Sequence, residues 1–218
     1  MGLRTPYLNY IDESIERAFG NAKNLRMLEL GDQMINDRAV RERSGKAYYE
    51  NRGFEHVSVD LNGNHGALVR DLRKPEQFEE WKNYWDVITN SGTTEHVEPF
   101  DTQYECFQIL HDCIKVGGIA VHLNPDAEHR DNVGTWKNHC RIYYTESFYE
   151  TLANECEYEL LSNKVIRGLR CAVVRKTKDR PFMLDRAKFL EHIAEREMIP
   201  QPISIFKRLK RRIRGEIQ

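Results

Sequence analysis

Two short apolar stretches, each ending near a carboxylate, constrain the fold most strongly: Leu28-Glu29-Leu30-Gly31-Asp32 and, further on, Val57-Ser58-Val59-Asp60. A glycine at the first strand end permits a sharp turn and a close approach of the backbone to a ligand. Parallel strands end at the same edge of a sheet, where an acid after the second strand can accept hydrogen bonds from both ribose hydroxyls. The two stretches therefore predict a βαβ unit with a nucleoside site at its carboxyl edge.

The turn after the first strand discriminates between nucleosides. The Gly-x-Gly-x-x-Gly pattern that admits a pyrophosphate is absent, since Gly31 is followed by Asp32-Gln33-Met34-Ile35-Asn36. Carboxylates in this turn would repel a pyrophosphate but would attract the ammonium group of an amino acid. S-adenosylmethionine contains an amino acid, a ribose and an adenine but no phosphate, so we expect it as the cofactor.

Length and composition indicate one catalytic domain, because the chain has 218 residues, of which 40% are hydrophobic and 31% charged. A net charge of −1 argues against a generally nucleic-acid-binding surface. The first residues contain no apolar signal core, and no stretch has the roughly 20 apolar residues that span a bilayer, so we expect a cytoplasmic protein. The five cysteines form no Cys-x-x-Cys pair and are expected to be reduced packing residues.

Apolar periodicity predicts helices that alternate with seven strands. The predicted strands are 25–30, 57–60, 67–69, 86–90, 119–122, 158–161 and 171–175, and the predicted helices are 6–19, 44–52, 75–81, 103–114, 146–153 and 185–197. This order indicates an α/β fold with a doubly wound, Rossmann-like seven-stranded sheet. We expect the sheet to be mostly parallel with an antiparallel last strand, helices on both faces, and the first helix over the domain's edge.

Several short patterns occur in one order along the chain. They are Met27-Leu28-Glu29-Leu30-Gly31, Asp60, Asp71-Leu72, Trp85-Asp86-Val87-Ile88-Thr89-Asn90 and Ile114-Lys115-Val116-Gly117-Gly118-Ile119-Ala120-Val121. Together they resemble the motifs of the class I S-adenosylmethionine-dependent methyltransferases, over roughly residues 25 to 176. Ser91-Gly92-Thr93-Thr94-Glu95-His96-Val97 is similar to the Glu-His-Val turn of the ubiquinone-biosynthesis-type subgroup. The chain departs from the first motif at Gln33, where a second glycine is usual.

The resemblance implies a set of cofactor-binding residues: Glu29, Gly31, Asp32, Asp60, Leu61, Asp71, Leu72 and Asn90. It implies that Asp60 binds the ribose, that the Asp71 carboxylate accepts from the adenine amino group, and that Leu72 packs on the ring. It also divides the chain into an N-terminal helical edge segment (1–24), a methyltransferase domain (25–178) and a C-terminal helical basic tail (179–218).

The segments after the fourth and fifth strands, 90–100 and 122–145, should face the transferred methyl group. They contain the polar and aromatic residues Asn90, Glu95, His96, His122, Asn124, His129, Trp136 and His139. Methyl transfer to a hydroxyl needs a base, and a histidine is the usual one, so His96, His122 and His139 are the catalytic candidates.

Glu95, His96 and His139 also resemble part of a metal site. Some 2′-O-methyltransferases of small RNA ends hold a divalent ion with a Glu-x-x-Glu-His turn and a later histidine, although Gly92 stands here in place of the first glutamate. The alternative is a loop at Glu95-His96 that packs beside the sulfonium and closes the pocket. The missing glutamate at Gly92 favours the loop.

The C-terminal segment 203–214 combines six cations with a helical stripe of apolar residues. It could dock on the domain with a solvated basic face, lie on an anionic membrane surface, or contact nucleic-acid phosphates. No feature predicts an oligomeric state.

The function expected from these observations is O-methylation of a small-molecule, glycan or lipid-linked substrate. The alternatives are an RNA 2′-O-methyltransferase, less favoured by the nearly neutral charge, and a catalytically inactive binding module.

Overall fold

The computed structural model describes residues 2–20, 23–129 and 139–196. In chain order its strands are β1 (Arg26–Leu30), β2 (Glu55–Asp60), β3 (Leu68–Val69), β4 (Trp85–Ser91), β5 (Ile114–Pro125), β6 (Ile142–Tyr144), β7 (Tyr158–Ile166), β8 (Leu169–Lys176) and β9 (Ile193–Glu195). Seven of them form one sheet in the order β3-β2-β1-β4-β5-β8-β7, and β6 pairs with β9 in a separate two-stranded sheet.

The α-helices are α1 (Thr5–Phe19), α2 (Gly45–Glu50), α3 (Gln103–Cys113), α4 (Glu146–Glu155) and α5 (Arg186–Glu191). Short 3₁₀ helices cover Asn64–Gly66, Pro75–Trp81, Thr94–His96 and Phe100–Thr102. None of the described helices is both long enough and apolar enough to cross a bilayer.

The predicted sheet is confirmed. Strands β1 to β5 pair in parallel, whereas β8 runs antiparallel to both of its neighbours, β5 and β7. In the central register Leu30 lies opposite Asn90, and Asn90 lies opposite His122. The carboxyl ends of β1, β4 and β5 therefore meet at one edge of the sheet.

Helices cover both faces of the sheet, as predicted. Neighbouring strand residues point to opposite sides, so each face carries apolar side chains that the helices bury. Met27 and Val87 pack into the cluster beside α1 and α2, whereas Leu28 and Ile88 pack into the cluster beside α3 and α4. All five cysteines are buried free thiols, which agrees with the expected packing role.

Two local predictions were wrong. Helix α1 lies on a face of the sheet rather than over its edge: its buried Tyr10 donates a hydrogen bond to the Cys171 carbonyl of β8, 3.0 Å away. The last described helix ends at Glu191 instead of continuing to 197, because the chain then pairs as β9 with β6, which the sequence did not predict. The helix predicted at 75–81 is present with those bounds, as a 3₁₀ helix. The predicted division into segments at residues 24 and 178 stays a prediction.

Candidate functional site

The turn after β1 has the conformation that its glycine permits. Gly31 has a φ of +81° and donates its N–H to the Val59 carbonyl at 2.8 Å, so the turn is fastened to β2. The next N–H, that of Asp32, donates to Asp60 Oδ2 at 3.0 Å. A Cβ at Gly31 would lie 2.6 Å from Thr93 Oγ1, so a side chain at this position would collide with the loop after β4. The two acidic strand ends predicted from the sequence are therefore joined directly.

This turn is one wall of a cavity of about 530 Å³, a size typical of small-ligand sites. The residues around it come from the ends of β1 and β2, from the loop after β3 and from the loop after β4. They are Gly31, Asp32, Gln33, Val59, Asp60, Leu61, Arg70, Asp71, Leu72, Arg73, Gly92, Thr93, His96, Val97 and Glu98.

At one end of the cavity the carboxylate of Asp71 is held by three hydrogen bonds from Arg73. Arg73 donates to Asp71 from Nε (2.9 Å, to Oδ1) and from Nη2 (2.7 Å, to Oδ2), and its backbone N–H donates to Oδ1 at 3.0 Å. These hydrogen bonds lower the pKa of Asp71, so the carboxylate is ionised at neutral pH. A carboxylate offers about four acceptor positions, of which three are used, so one remains for a ligand donor.

At the other end, Glu95, His96 and His139 converge. One carboxylate oxygen of Glu95 and one ring nitrogen of each histidine all lie within 4.8 Å of one another. The two imidazole rings meet edge to face with their centres 4.9 Å apart. Since His96 also lines the cavity, the cluster adjoins it.

Burial sets the protonation of this cluster. Glu95 has no exposed surface, and desolvation raises its pKa to about 7. Desolvation, followed by repulsion from His139, lowers the pKa of His96 to about 4, and desolvation also lowers the pKa of His139. Both imidazoles are therefore neutral at pH 7 and have a ring nitrogen with a lone pair.

Solved structures of three proteins share this fold over most of both chains. The 1,6-didemethyltoxoflavin-N1-methyltransferase of Burkholderia thailandensis, solved with its namesake ligand and S-adenosylhomocysteine, matches over 76% of each chain at 14% identity, with a TM-score of 0.52. The geranyl diphosphate C-methyltransferase of Streptomyces coelicolor, solved with Mg²⁺, geranyl diphosphate and S-adenosyl-L-homocysteine, matches over 78% of this chain and 80% of its own at 12% identity, with a TM-score of 0.54. PH0226 of Pyrococcus horikoshii matches over 78% and 89% at 16% identity, with a TM-score of 0.53.

The chain has the class I methyltransferase fold. No protein-family model and no curated sequence matches it, so the likeness lies in structure. The resemblance stated from the sequence motifs is thereby confirmed for the fold.

Within this methyltransferase fold, most of the predicted cofactor residues surround the cavity. Those that line it are Gly31, Asp32, Asp60, Leu61, Asp71 and Leu72. Asp32 is already engaged, because its Oδ2 contacts Nδ1 of His65 at the rim. Whether these residues bind a cofactor stays a prediction.

Glu29 does not line the cavity, contrary to what its predicted role requires. Its carboxylate is 2% exposed and lies behind the turn, where it accepts from the Gln33 N–H at 3.4 Å and lies 3.8 Å from His56 Nε2. Burial raises the pKa of Glu29. The acid inside β1 thus supports the turn from the α2 side of the sheet.

Asn90 and His122 are also absent from the cavity wall. Both are buried on the α3 side, where Asn90 Nδ2 donates to Thr94 Oγ1 at 2.9 Å and the His122 ring stacks on Phe107 with centres 5.4 Å apart. Desolvation lowers the pKa of His122 to about 3. Of the three catalytic candidates, only His96 and His139 are therefore near the cavity.

The sequence analysis missed several lining residues, above all Arg73, Gln33 and Thr93. Gln33 Nε2 donates to the Leu30 carbonyl and to Thr93 Oγ1, each at 3.3 Å, so it tightens the turn where a second glycine is usual. Arg73 could have been predicted from its position two residues after Asp71, close enough in sequence for its guanidinium to reach that carboxylate.

Trp136 and the basic segment 203–214 lie outside the described residues.

Proposed function

We propose that the chain is an S-adenosylmethionine-dependent methyltransferase that methylates a hydroxyl group of a small-molecule, glycan or lipid-linked acceptor. The observation that carries the proposal is the position of His96, which lines the cavity formed by the acidic strand ends and also belongs to the cluster with Glu95 and His139. One cavity thus combines the acidic ends of β1 and β2 with a cluster of one carboxylate and two imidazoles.

The cofactor end fits the nucleoside. Asp60 would accept from the ribose hydroxyls, the remaining acceptor position of Asp71 would take the adenine amino group, and Leu72 would pack on the ring. Gly31 would let the backbone approach the amino acid portion. The bound cofactor supplies an activated methyl group on a sulfonium. The Burkholderia and Streptomyces neighbours, both solved with S-adenosylhomocysteine, support this choice.

The acceptor end suits an oxygen nucleophile. Methyl transfer is an in-line displacement, so holding the acceptor in line supplies much of the acceleration. His96 is neutral at pH 7, so in the absence of a bound cation its ring can accept the proton that a hydroxyl loses. The described part of the chain carries no Asn-Pro-Pro-Tyr-like sequence after β4, where Asn90 is followed by Ser91, Gly92 and Thr93.

The same cluster fits a divalent cation. A carboxylate with two imidazoles is a ligand set that Zn²⁺, Mn²⁺ and Fe²⁺ accept. Oε1 of Glu95 is buried without a hydrogen-bond partner among the described residues, a costly state that a bound cation would relieve. We propose that Glu95, His96 and His139 would hold this ion. The ion would lower the pKa of an acceptor hydroxyl.

Calorimetric titration with S-adenosylhomocysteine tests the cofactor half of the proposal. We expect micromolar binding to the wild type and a loss of 10-fold or more in Asp60→Ala, because a ribose hydrogen bond to a carboxylate is removed. Asp101→Ala, an exposed aspartate that does not line the cavity, is the matched control. No binding to the wild type would contradict the proposed activity and leave an inactive binding module.

Transfer of a labelled methyl group tests the acceptor. The enzyme and methyl-labelled S-adenosylmethionine are incubated with the low-molecular-weight, glycan, lipid and RNA fractions of a cell extract, and the labelled bond is identified. We expect an O-methyl product outside the RNA fraction. Label in RNA would favour the nucleic-acid alternative, and an N- or C-methyl product would contradict the hydroxyl acceptor.

A further inference from the structure

Beneath the cluster of Glu95, His96 and His139 lies a buried polar network that the proposed chemistry does not use directly. It is built from Asn90, Thr94, Gln103, Asn124, Tyr144 and Tyr149, which come from β4, the loop after it, α3, β5, β6 and α4. Polar side chains are costly to bury unless they are hydrogen-bonded. The hydrogen bonds of this network therefore fix how its side chains are oriented.

Asn124 is the member that contacts Glu95. Its Nδ2 donates to Glu95 Oε2 at 2.9 Å and to Thr94 Oγ1 at 3.3 Å, while its Oδ1 accepts from the Tyr149 hydroxyl at 2.7 Å and from Asn90 Nδ2 at 3.3 Å. An asparagine amide has two donor hydrogens and two acceptor positions. All four are therefore used.

The four contacts allow only one orientation of the Asn124 amide. If it were rotated by half a turn, Oδ1 would face the carboxylate oxygen of Glu95, and Nδ2 would face the donor group of Asn90. Burial raises the pKa of Tyr149 well above its ordinary value, so its hydroxyl keeps the proton that it donates. The amide must consequently present a donor to Glu95.

The rest of the network holds Asn124 and the loop in place. The Thr94 hydroxyl lies 2.8 Å from the Tyr144 hydroxyl, which donates to Gln103 Oε1. Gln103 Nε2 then donates to the carbonyls of Thr94 and Val97, at 2.7 and 2.9 Å. The loop that carries Glu95 and His96 is thus fastened on both sides to α3.

We propose that Asn124 is a positioning residue that fixes the Glu95 carboxylate by engaging Oε2 and leaving Oε1 open toward a cation. Tyr149 supports this role by holding the amide from the opposite side. The inference rests on the proposed metal site and adds the residues that orient its carboxylate. Residues that hydrogen-bond a ligating carboxylate typically change metal affinity 10- to 100-fold when they are removed.

Titration with Co²⁺, followed by its visible absorption spectrum and by calorimetry, tests this role without a methyl acceptor. We expect Asn124→Ala to weaken Co²⁺ binding by about 10- to 100-fold and to change the absorption bands. Tyr149→Phe, which removes one hydroxyl and keeps the ring, should weaken binding about threefold. Asn163→Ala, an asparagine of β7 outside the network, should bind Co²⁺ like the wild type.

Affinity for S-adenosylhomocysteine separates positioning from a general loss of structure. Asn124 does not line the cavity, so the affinity of Asn124→Ala for this nucleoside should stay within about threefold of the wild type. If Asn124→Ala does not fold, Tyr149→Phe supplies the same comparison.

The outcomes are distinguishable from a failure of the proposed function. Wild-type Co²⁺ binding that is unchanged in both Asn124→Ala and Tyr149→Phe would overturn the positioning role while the metal site stands. No Co²⁺ binding to the wild type would overturn both the metal site and the positioning role, whereas S-adenosylhomocysteine binding would still support the methyltransferase activity.

Discussion

The guanidinium of Arg73 lies on the carboxylate of Asp71, with Nε 2.9 Å from Oδ1 and Nη2 2.7 Å from Oδ2. The fork geometry fixes both side chains, and it sits in the wall of the cavity where the adenine is expected. The pair therefore orients the one acceptor position that Asp71 keeps for a ligand.

From this pairing we expect Asp71→Ala to weaken S-adenosylhomocysteine binding by about 10-fold or more, because a charged acceptor for the adenine amino group is lost. Arg73→Ala keeps the Asp71 acceptor but no longer orients it, so this variant should bind S-adenosylhomocysteine about threefold more weakly than the wild type. Calorimetry on both variants checks the order. A larger effect of Arg73→Ala would show that the guanidinium itself contacts the nucleoside.

Gly31 and Gly117 have the same left-handed backbone conformation but different surroundings, so substitutions at them distinguish effects on folding from effects on binding. Gly31 and Gly117 have φ values of +81° and +84°, but a Cβ at Gly31 would meet Thr93 at 2.6 Å, whereas Gly117 has nothing within 4 Å. We expect Gly117→Ala to reduce the free energy of unfolding by about 1 kcal/mol and to keep nucleoside affinity. Gly31→Ala should lose about 2 to 3 kcal/mol and at least 10-fold in affinity.

These values are measured by urea unfolding and by titration with S-adenosylhomocysteine. Equal losses of stability and affinity in the two variants would contradict a role for the close approach at Gly31.

His122 makes stability depend on pH. Burial lowers its pKa to about 3 in the folded protein, from an ordinary value of 6.5. Between these values the unfolded chain binds a proton that the folded protein does not, so stability is present above pH 6.5 and is lost as the pH falls toward 3. Between pH 7 and pH 5 the contribution of this histidine should lower the free energy of unfolding by about 2 kcal/mol.

We therefore expect wild-type protein to lose about 2 kcal/mol more than His122→Phe between pH 7 and pH 5. Urea unfolding of both proteins at the two pH values gives the difference. Parallel losses would mean that His122 accepts a proton within the folded core.

A buried ion pair fastens the end of β5 to β8. Arg170 Nη2 lies 2.6 Å from Asp126 Oδ2, and the two side chains are 5% and 1% exposed. Asp126→Ala leaves the buried guanidinium with the more distant and exposed Glu146 carboxylate, 3.6 Å away, as its acidic partner, so it should lower the free energy of unfolding by about 3 kcal/mol. The double variant Asp126→Leu/Arg170→Met should recover most of that loss. Thermal or urea unfolding measures both, and a double variant as unstable as the single one would contradict a purely electrostatic penalty.

The sequence by itself determined the acidic turn and the order of the strands that build the seven-stranded sheet. The short segments 86–90 and 119–122 each contain adjacent apolar residues, a pattern typical of strands in a sheet covered on both faces, and Gly31 permits a turn that other residues resist. These features depend on residues that are adjacent in the sequence, so they can be predicted without knowledge of the tertiary structure. The metal-site resemblance also named Glu95, His96 and His139, which the structure brings together.

Only the tertiary structure decided which polar residues face the cavity. A strand buried on both faces gives no sign of which side each residue occupies, so His122 and Asn90 were predicted at the site although they point into the α3 side of the core. The Asn124 network likewise depends on distant elements, because Tyr149 and Glu95 meet Asn124 only after β5 and α4 have packed. Local pattern sets the elements, whereas long-range packing sets which side chains converge.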